Sequence, residues 1–99
     1  MVKRIVWSLT AQQDRKNILE YWNVRNKSKT YSKKLNELLK SSIKLISTHP
    51  NIGKKTNYSN IRFKVVRDYQ IFYEETLNSI DVLRIWDSRQ EPDKLKLTK

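Results

Sequence analysis

The spacing of apolar residues changes near Asn60, and this change constrains the fold more than any other feature of the sequence. Before it, apolar side chains recur at the three- and four-residue intervals of an amphipathic helix: Tyr31, Leu35, Leu38, Leu39, Ile43 and Ile46. After it, apolar and polar residues alternate, as in β-strands with two unlike faces. The sequence therefore predicts an α+β protein in which the helices precede most of the strands.

Two helices are predicted in the first half of the chain. Residues 2–8 are rich in β-forming side chains and predict a strand, and a helix follows it to about Arg25. Thr10 and Gln13 have the spacing of a capping box, with Ser8 as a rival N-cap. Thr30 is expected to cap the second helix, which ends before Pro50.

Three short strands are predicted after Asn60, joined by tight turns at residues 67–68 and 77–79. They cover residues 61–66, 69–73 and 80–86, and the last is mostly apolar and therefore expected inside the sheet. The predicted order is β-α-α-β-β-β. A helical hairpin packs on one face of a small sheet that contains a three-stranded antiparallel meander.

Basic side chains alternate with apolar ones along the first strand of this meander. Arg62 and Lys64 point away from Ile61 and Phe63. If the apolar side chains face the helices, Arg62 and Lys64 lie on the uncovered sheet face, with Arg84 as a third candidate. Together with Arg89, they would form an anion-binding patch on that face.

The composition excludes several kinds of site. There is no Cys and one His, so we expect no disulfide, no metal and no cofactor. No apolar run approaches the ~18–20 residues that span a bilayer, and the N-terminal residues lack an apolar signal core. We expect a cytoplasmic single domain over residues 1–99. Its polar tail, residues 91–99, either docks weakly through Leu95 and Leu97 or stays mobile.

The charge is strongly positive: 21 Lys and Arg against 10 Asp and Glu give a net charge of +11. Residues 27–55 alone contain eight Lys and one Glu. A charge of this size favours a polyanionic partner, either a nucleic acid or an acidic protein. Runs of lysine on an amphipathic helix are also common as a simple solvated face, and the sequence leaves both interpretations open.

Four motifs occur in a characteristic order: I-V-W-S near the start, H-P-N-I-G after the second helix, I-R-F-K-V-V-R-D-Y-Q-I-F-Y-E, and V-L-R-I-W-D-S-R-Q-E-P. In this order the chain resembles the RelE/ParE superfamily of bacterial toxins, from Ile5 to Pro92. The resemblance implies the toxin of a type II toxin–antitoxin module, with growth inhibition and plasmid stabilisation as its effects. RelE-like members cut mRNA on the ribosome, ParE-like members poison DNA gyrase, and a small antitoxin protein neutralises both.

The resemblance also implies candidate site residues. Arg62 and Lys64 match the basic strand positions that RelE-like toxins use, and Arg89 matches their Arg beyond the last strand. Gln70 stands where those toxins have an Arg, and Asp87 stands where many relatives have a His. Residues 88–99 contain neither the Tyr nor the His that RelE-like toxins often carry there.

RNA cleavage through the 2′-hydroxyl needs a base, an acid and positive charge around the phosphorane. Arg62, Lys64 and Arg89 could supply the charge, and Asp87 or a desolvated Lys64 the base. Beside Arg89, however, Asp87 is expected to stay ionised with a lowered pKa. The sequence thus leaves three alternatives: a ribosome-dependent endoribonuclease, a non-enzymatic gyrase inhibitor, and a basic nucleic-acid-binding domain.

Two further residues have ordinary structural interpretations. His49 falls at the end of the second helix, where it complements the helix dipole more readily than it acts as an acid or base. The alternation along the last strand places Trp86 on the same face as Arg84, where it could stack a base, although packing in the core is the preferred interpretation.

Overall fold

The computed structural model describes residues 2–90, Leu95 and Leu97. It confirms the predicted α+β order. The elements are β1 (Arg4–Trp7), α1 (Leu9–Asn26), α2 (Thr30–Thr48), a 3₁₀ turn (Pro50–Ile52), β2 (Lys54–Lys55), β3 (Ile61–Val66), β4 (Tyr69–Glu75) and β5 (Ser79–Asp87). The two-residue β2 was not predicted, because a pair of exposed lysines gives no strand signal.

The five strands form one mixed sheet in the order β1-β5-β4-β3-β2. β3, β4 and β5 make the expected antiparallel meander, and β1 pairs in parallel with β5. The mostly apolar β5 is internal, as predicted. Its register against β4 shifts between Phe72 and Tyr73, as at a β-bulge.

The main core lies between the helical hairpin and one face of the sheet. The buried α2 residues Leu35, Leu39, Ile43 and Ile46 pack there, as the helical spacing predicts. From the sheet they meet Val66, Tyr69, Ile71, Tyr73, Ile80, Val82 and Ile85. Trp7 and Trp22 pack at the margin of this cluster, so both belong to the core.

The structure shows which of the candidate residues act as N-caps of the two helices. Ser8 is the N-cap of α1, and its hydroxyl accepts a hydrogen bond from Ala11 N at 2.9 Å. The Thr10 capping box is therefore not the start of the helix. Thr30 does not cap α2 either, because the N-cap position is Lys29 and no side chain caps it. The Ser28 hydroxyl instead accepts from the backbone N–H of Thr30.

The sheet face opposite the helices is mainly apolar, and the prediction that Arg62 and Lys64 form a basic patch there is wrong. Arg62 lies directly opposite Tyr73, and Lys64 opposite Ile71. Since paired residues share a face, both cations point to the helical side. The uncovered face instead carries a second buried cluster, consisting of Ile61, Phe72, Leu83 and Trp86, with Phe63 beside it.

Two tail residues pack on this second cluster. Leu95 and Leu97 are partly buried against it, which agrees with the docking alternative for these two side chains. The prediction for the rest of residues 91–99 falls outside the described residues. Trp86 is buried in the same cluster, which agrees with the packing interpretation.

Candidate functional site

Two polar clefts lie at opposite ends of the sheet. The first, here called the loop cleft, has a volume of about 550 Å³ and lies between the loop before β3 and the adjoining ends of β3 and β4. Its lining is dominated by the polar loop residues 55–60, with Arg62 and Tyr73 forming its inner wall.

Arg62 is held in this wall by a chain of hydrogen bonds. Its Nη1 donates to the carbonyl of Gly53 at 2.9 Å. The N–H of Gly53 donates to the Tyr73 hydroxyl at 2.9 Å, and that hydroxyl donates to the carbonyl of Pro50 at 2.7 Å. Burial raises the pKa of Tyr73 above its usual 10.0. Arg62 therefore helps to fix the segment between α2 and β2.

The second cleft, here called the helix cleft, has a volume of about 410 Å³ and lies between α1 and the end of β5. Asp87 and Arg89 line it, with Tyr21 and Tyr69 among the other lining residues. Tyr69 is buried, and its hydroxyl accepts a hydrogen bond from Trp22 Nε1 at 2.8 Å. This bond joins the floor of the helix cleft to α1.

Asp87 and Arg89 form a local ion pair within this cleft. Arg89 Nη2 lies 2.8 Å from Asp87 Oδ2, and its Nε donates to Oδ1 at 3.0 Å. The backbone N–H of Arg89 also donates to Oδ1 at 2.9 Å. These bonds hold the pKa of Asp87 below its usual 3.8, as the sequence analysis expected. A carboxylate held in this way is a weak proton acceptor near neutral pH.

A second ion pair closes the inner end of the helix cleft. Asp14 of α1 accepts hydrogen bonds from Arg84 Nε at 2.8 Å and Nη2 at 3.0 Å. The Arg84 guanidinium also lies 5.4 Å from the ring centroid of Trp86. Sequence reasoning did not identify Asp14, because nothing local connects it with a strand that lies 70 residues later.

The structure does not bring the predicted site residues together. Arg62 lines the loop cleft, Asp87 and Arg89 line the helix cleft, and Lys64 lines neither. Arg62 lies opposite Tyr73 and Asp87 opposite Tyr69, on the two sides of β4. The two are therefore separated by about 13 Å along the strand direction as well as by two strand spacings.

The other two positions also lie outside a common site. His49 is exposed at the C-cap of α2, and its Nδ1 lies 2.9 Å from the Thr48 hydroxyl oxygen. Gln70 pairs with Trp86 across the strands, so it lies on the face that carries the second cluster. Residues 2–90 contain no group of three side chains arranged to hold a metal ion. No helix in the described part is long and apolar enough to cross a bilayer.

The fold is shared with a component of a toxin–antitoxin system. A chain from the chromosomal ParDE toxin–antitoxin system of P. aeruginosa superimposes with a TM-score of 0.74 and 15% sequence identity, covering 85% of this chain and 94% of that chain. A family model described as the ParE toxin of the type II toxin–antitoxin system parDE matches residues 5–92. The chain therefore belongs to the ParE toxin family. No curated protein sequence matches it significantly.

Proposed function

We propose that this ParE-type toxin inhibits DNA gyrase by binding to it, and that it does not cut mRNA. The observation that carries the proposal is the ParE family match over residues 5–92. The superfamily resemblance implies two activities, mRNA cleavage for RelE-like toxins and gyrase poisoning for ParE-like toxins. The family match therefore favours gyrase poisoning.

The geometry of the candidate residues supports binding over cleavage. In-line cleavage needs a base, an acid and a cation within reach of one phosphate. Arg62 and Arg89 line different clefts, and Asp87 is tied to Arg89 with a lowered pKa. Arg89 is better suited to anchor a partner, because its side chain is 53% exposed and only part of its donor set is used by Asp87.

The decisive experiment measures both activities with one preparation of toxin. Purified gyrase supercoils a relaxed plasmid in the presence of increasing toxin, while a translating extract reports on transcript integrity. We expect supercoiling to be blocked and transcripts to stay intact. Arg89→Ala should weaken the inhibition, and Lys54→Gln, which removes one positive charge from the edge strand β2, should not. Cleaved transcripts with normal supercoiling would show an endoribonuclease instead.

We also propose that a cognate antitoxin neutralises the toxin by adding a strand to the outer edge of β1. Arg4 N and Ser8 N bond carbonyls on the β5 side, so the alternate N–H groups of Ile5 and Trp7 face outward. Ile5 and Val6 are 36% and 39% exposed at this edge. Acidic residues of the antitoxin would pair with Arg89, whose side chain is 53% exposed.

Two single proline substitutions test the proposed addition of a strand at the edge of β1. Ile5→Pro removes only an outward N–H and should weaken binding to the cognate antitoxin, while the protein stays folded. Val6→Pro removes an N–H on the β5 side and should lower the melting temperature instead. Antitoxin affinity that is indifferent to Ile5→Pro, to salt and to Arg89→Ala would contradict the proposed binding mode.

A further inference from the structure

The solvent side of α2 carries four exposed lysines: Lys33, Lys34, Lys40 and Lys44. Three of them, Lys33, Lys40 and Lys44, follow the i, i+7, i+11 spacing and lie along one line of the helix. They extend over about 17 Å of the helix axis. We call these four residues the lysine face of α2.

Ion pairing does not explain these charges. The ion pairs in the described part of the chain use Lys3, Arg84 and Arg89, and none involves a lysine of α2. Glu37 is the one acidic residue of α2 and lies in the same line. One carboxylate against four cations leaves this side of α2 with a clear excess of positive charge.

The chemistry of the lysine face suits a regular row of phosphates. All its cations are lysines, which act as point charges on flexible stems and lack the fork with which Arg reads base edges. Duplex DNA presents about one negative charge per 1.7 Å of axis, so a rigid helix can engage several phosphates at once. We propose that the lysine face of α2 binds the phosphate backbone of duplex DNA without reading its sequence.

The choice of DNA over RNA rests on the proposed gyrase target, which works on DNA. Bound in this way, the toxin would concentrate along the DNA on which gyrase acts. The helix cleft and the edge of β1 would remain available, because neither contains a residue of α2.

The salt dependence of DNA binding tests the proposal without gyrase. Fluorescence anisotropy of a labelled duplex gives the affinity of the isolated toxin across a KCl series. The variant Lys33→Gln/Lys40→Gln/Lys44→Gln should bind more weakly, and its slope of log K against log[KCl] should be shallower by about 2.7, or 0.9 for each lost phosphate contact. The control Arg4→Gln/Lys54→Gln/Arg67→Asn has the same net charge but loses exposed cations from three other places.

The control variant should keep most of the slope. Equal loss of slope in the two variants would show that net charge alone attracts DNA, and would overturn the proposal. Binding to poly-glutamate but not to the duplex would overturn the proposal as well, because the lysine face would then be a binding site for an acidic protein. A toxin that binds DNA as expected but leaves gyrase active would disprove the proposed gyrase target. The proposal that the lysine face of α2 binds DNA would still hold.

Discussion

Asp14 and Arg84 connect α1 to β5 at the point where β1 has ended and the edge of β5 is no longer paired. Both oxygens of Asp14 accept from the Arg84 guanidinium, and Oδ2 also accepts from the backbone N–H of Ile85 at 3.0 Å. The Asp14 carboxylate thus replaces the hydrogen-bond partner that a longer β1 would have supplied. Because both side chains are less than one-fifth exposed, this contact is shielded from solvent.

Asp14→Asn should destabilise the protein. The amide keeps the size of the side chain but removes the charge and one of the acceptor oxygens facing Arg84. Bonds to charged groups contribute about 1.5–3 kcal/mol, so we expect a loss of about 2 kcal/mol in urea unfolding. Glu20→Gln, an exposed change in the second half of α1, serves as the control. Equal stability of the Asp14 variant and the wild type would show that the contact contributes nothing.

Gly53→Ala should destabilise the protein through a steric clash of the new Cβ and not through backbone strain. Gly53 has an extended backbone with φ of −75°, but a Cβ would lie 2.5 Å from the Tyr73 hydroxyl oxygen and 2.8 Å from the carbonyl oxygen of Phe63. We expect a loss of about 1–3 kcal/mol. Adding Tyr73→Phe removes one of the clashing atoms, so the double variant should lose less than the sum of the two single changes. Strict additivity would mean that Gly53 and Tyr73 do not interact.

Two of the five tyrosines should titrate late. Burial raises the pKa of Tyr69 and of Tyr73 above 10.0. A raised pKa means that the folded state holds the proton more tightly than the unfolded state does. The contribution of these two groups to the free energy of unfolding is therefore fully present below pH 10 and falls as the pH rises above it. Tyrosinate absorbance should therefore contain a late phase that is coupled to unfolding. Tyr69→Phe should reduce that phase, and the absence of a late phase in the wild type would refute this prediction.

Asp87 should remain ionised under acid conditions. Its pKa is lowered chiefly by the side-chain bond to Arg89. The stabilisation from this pair is present above the usual value of 3.8 and is lost as the pH falls through the lower folded pKa. In an NMR titration, Arg89→Ala should return the pKa of Asp87 toward 3.8, while Arg67→Asn should leave it unchanged. A value that does not move would show that Arg89 is not the cause.

The sequence was sufficient to predict the order and approximate bounds of the main elements. Each signal was local: the three- and four-residue spacing through Ile43, the breaker Pro50 and the alternation after Asn60. Such patterns survive in the fold because each element buries one face. The family resemblance added the toxin class, which no local pattern contains.

The sequence could not say which face of β3 meets the helices. Alternation separates Arg62 from Ile61, but choosing the buried face requires the register with β4, where Arg62 meets Tyr73. The second cluster also uses Leu95 and Leu97, so both faces of the sheet bury apolar side chains and neither is left for a basic patch. The site residues are separated for a different reason, since Arg62 and Asp87 lie opposite the two ends of β4.

The parallel pairing of β1 with β5 has a consequence for when the protein becomes active. Ser8 at the end of β1 bonds the carbonyls of Val82 and Leu83, some 75 positions later in the chain. A nascent chain on the ribosome cannot form this contact until β5 has been synthesised at least as far as Leu83, more than four-fifths of the way along the chain. We therefore expect the toxin to complete its fold only late in its own synthesis. An antitoxin that is already present would then have time to bind each new toxin molecule as it leaves the ribosome.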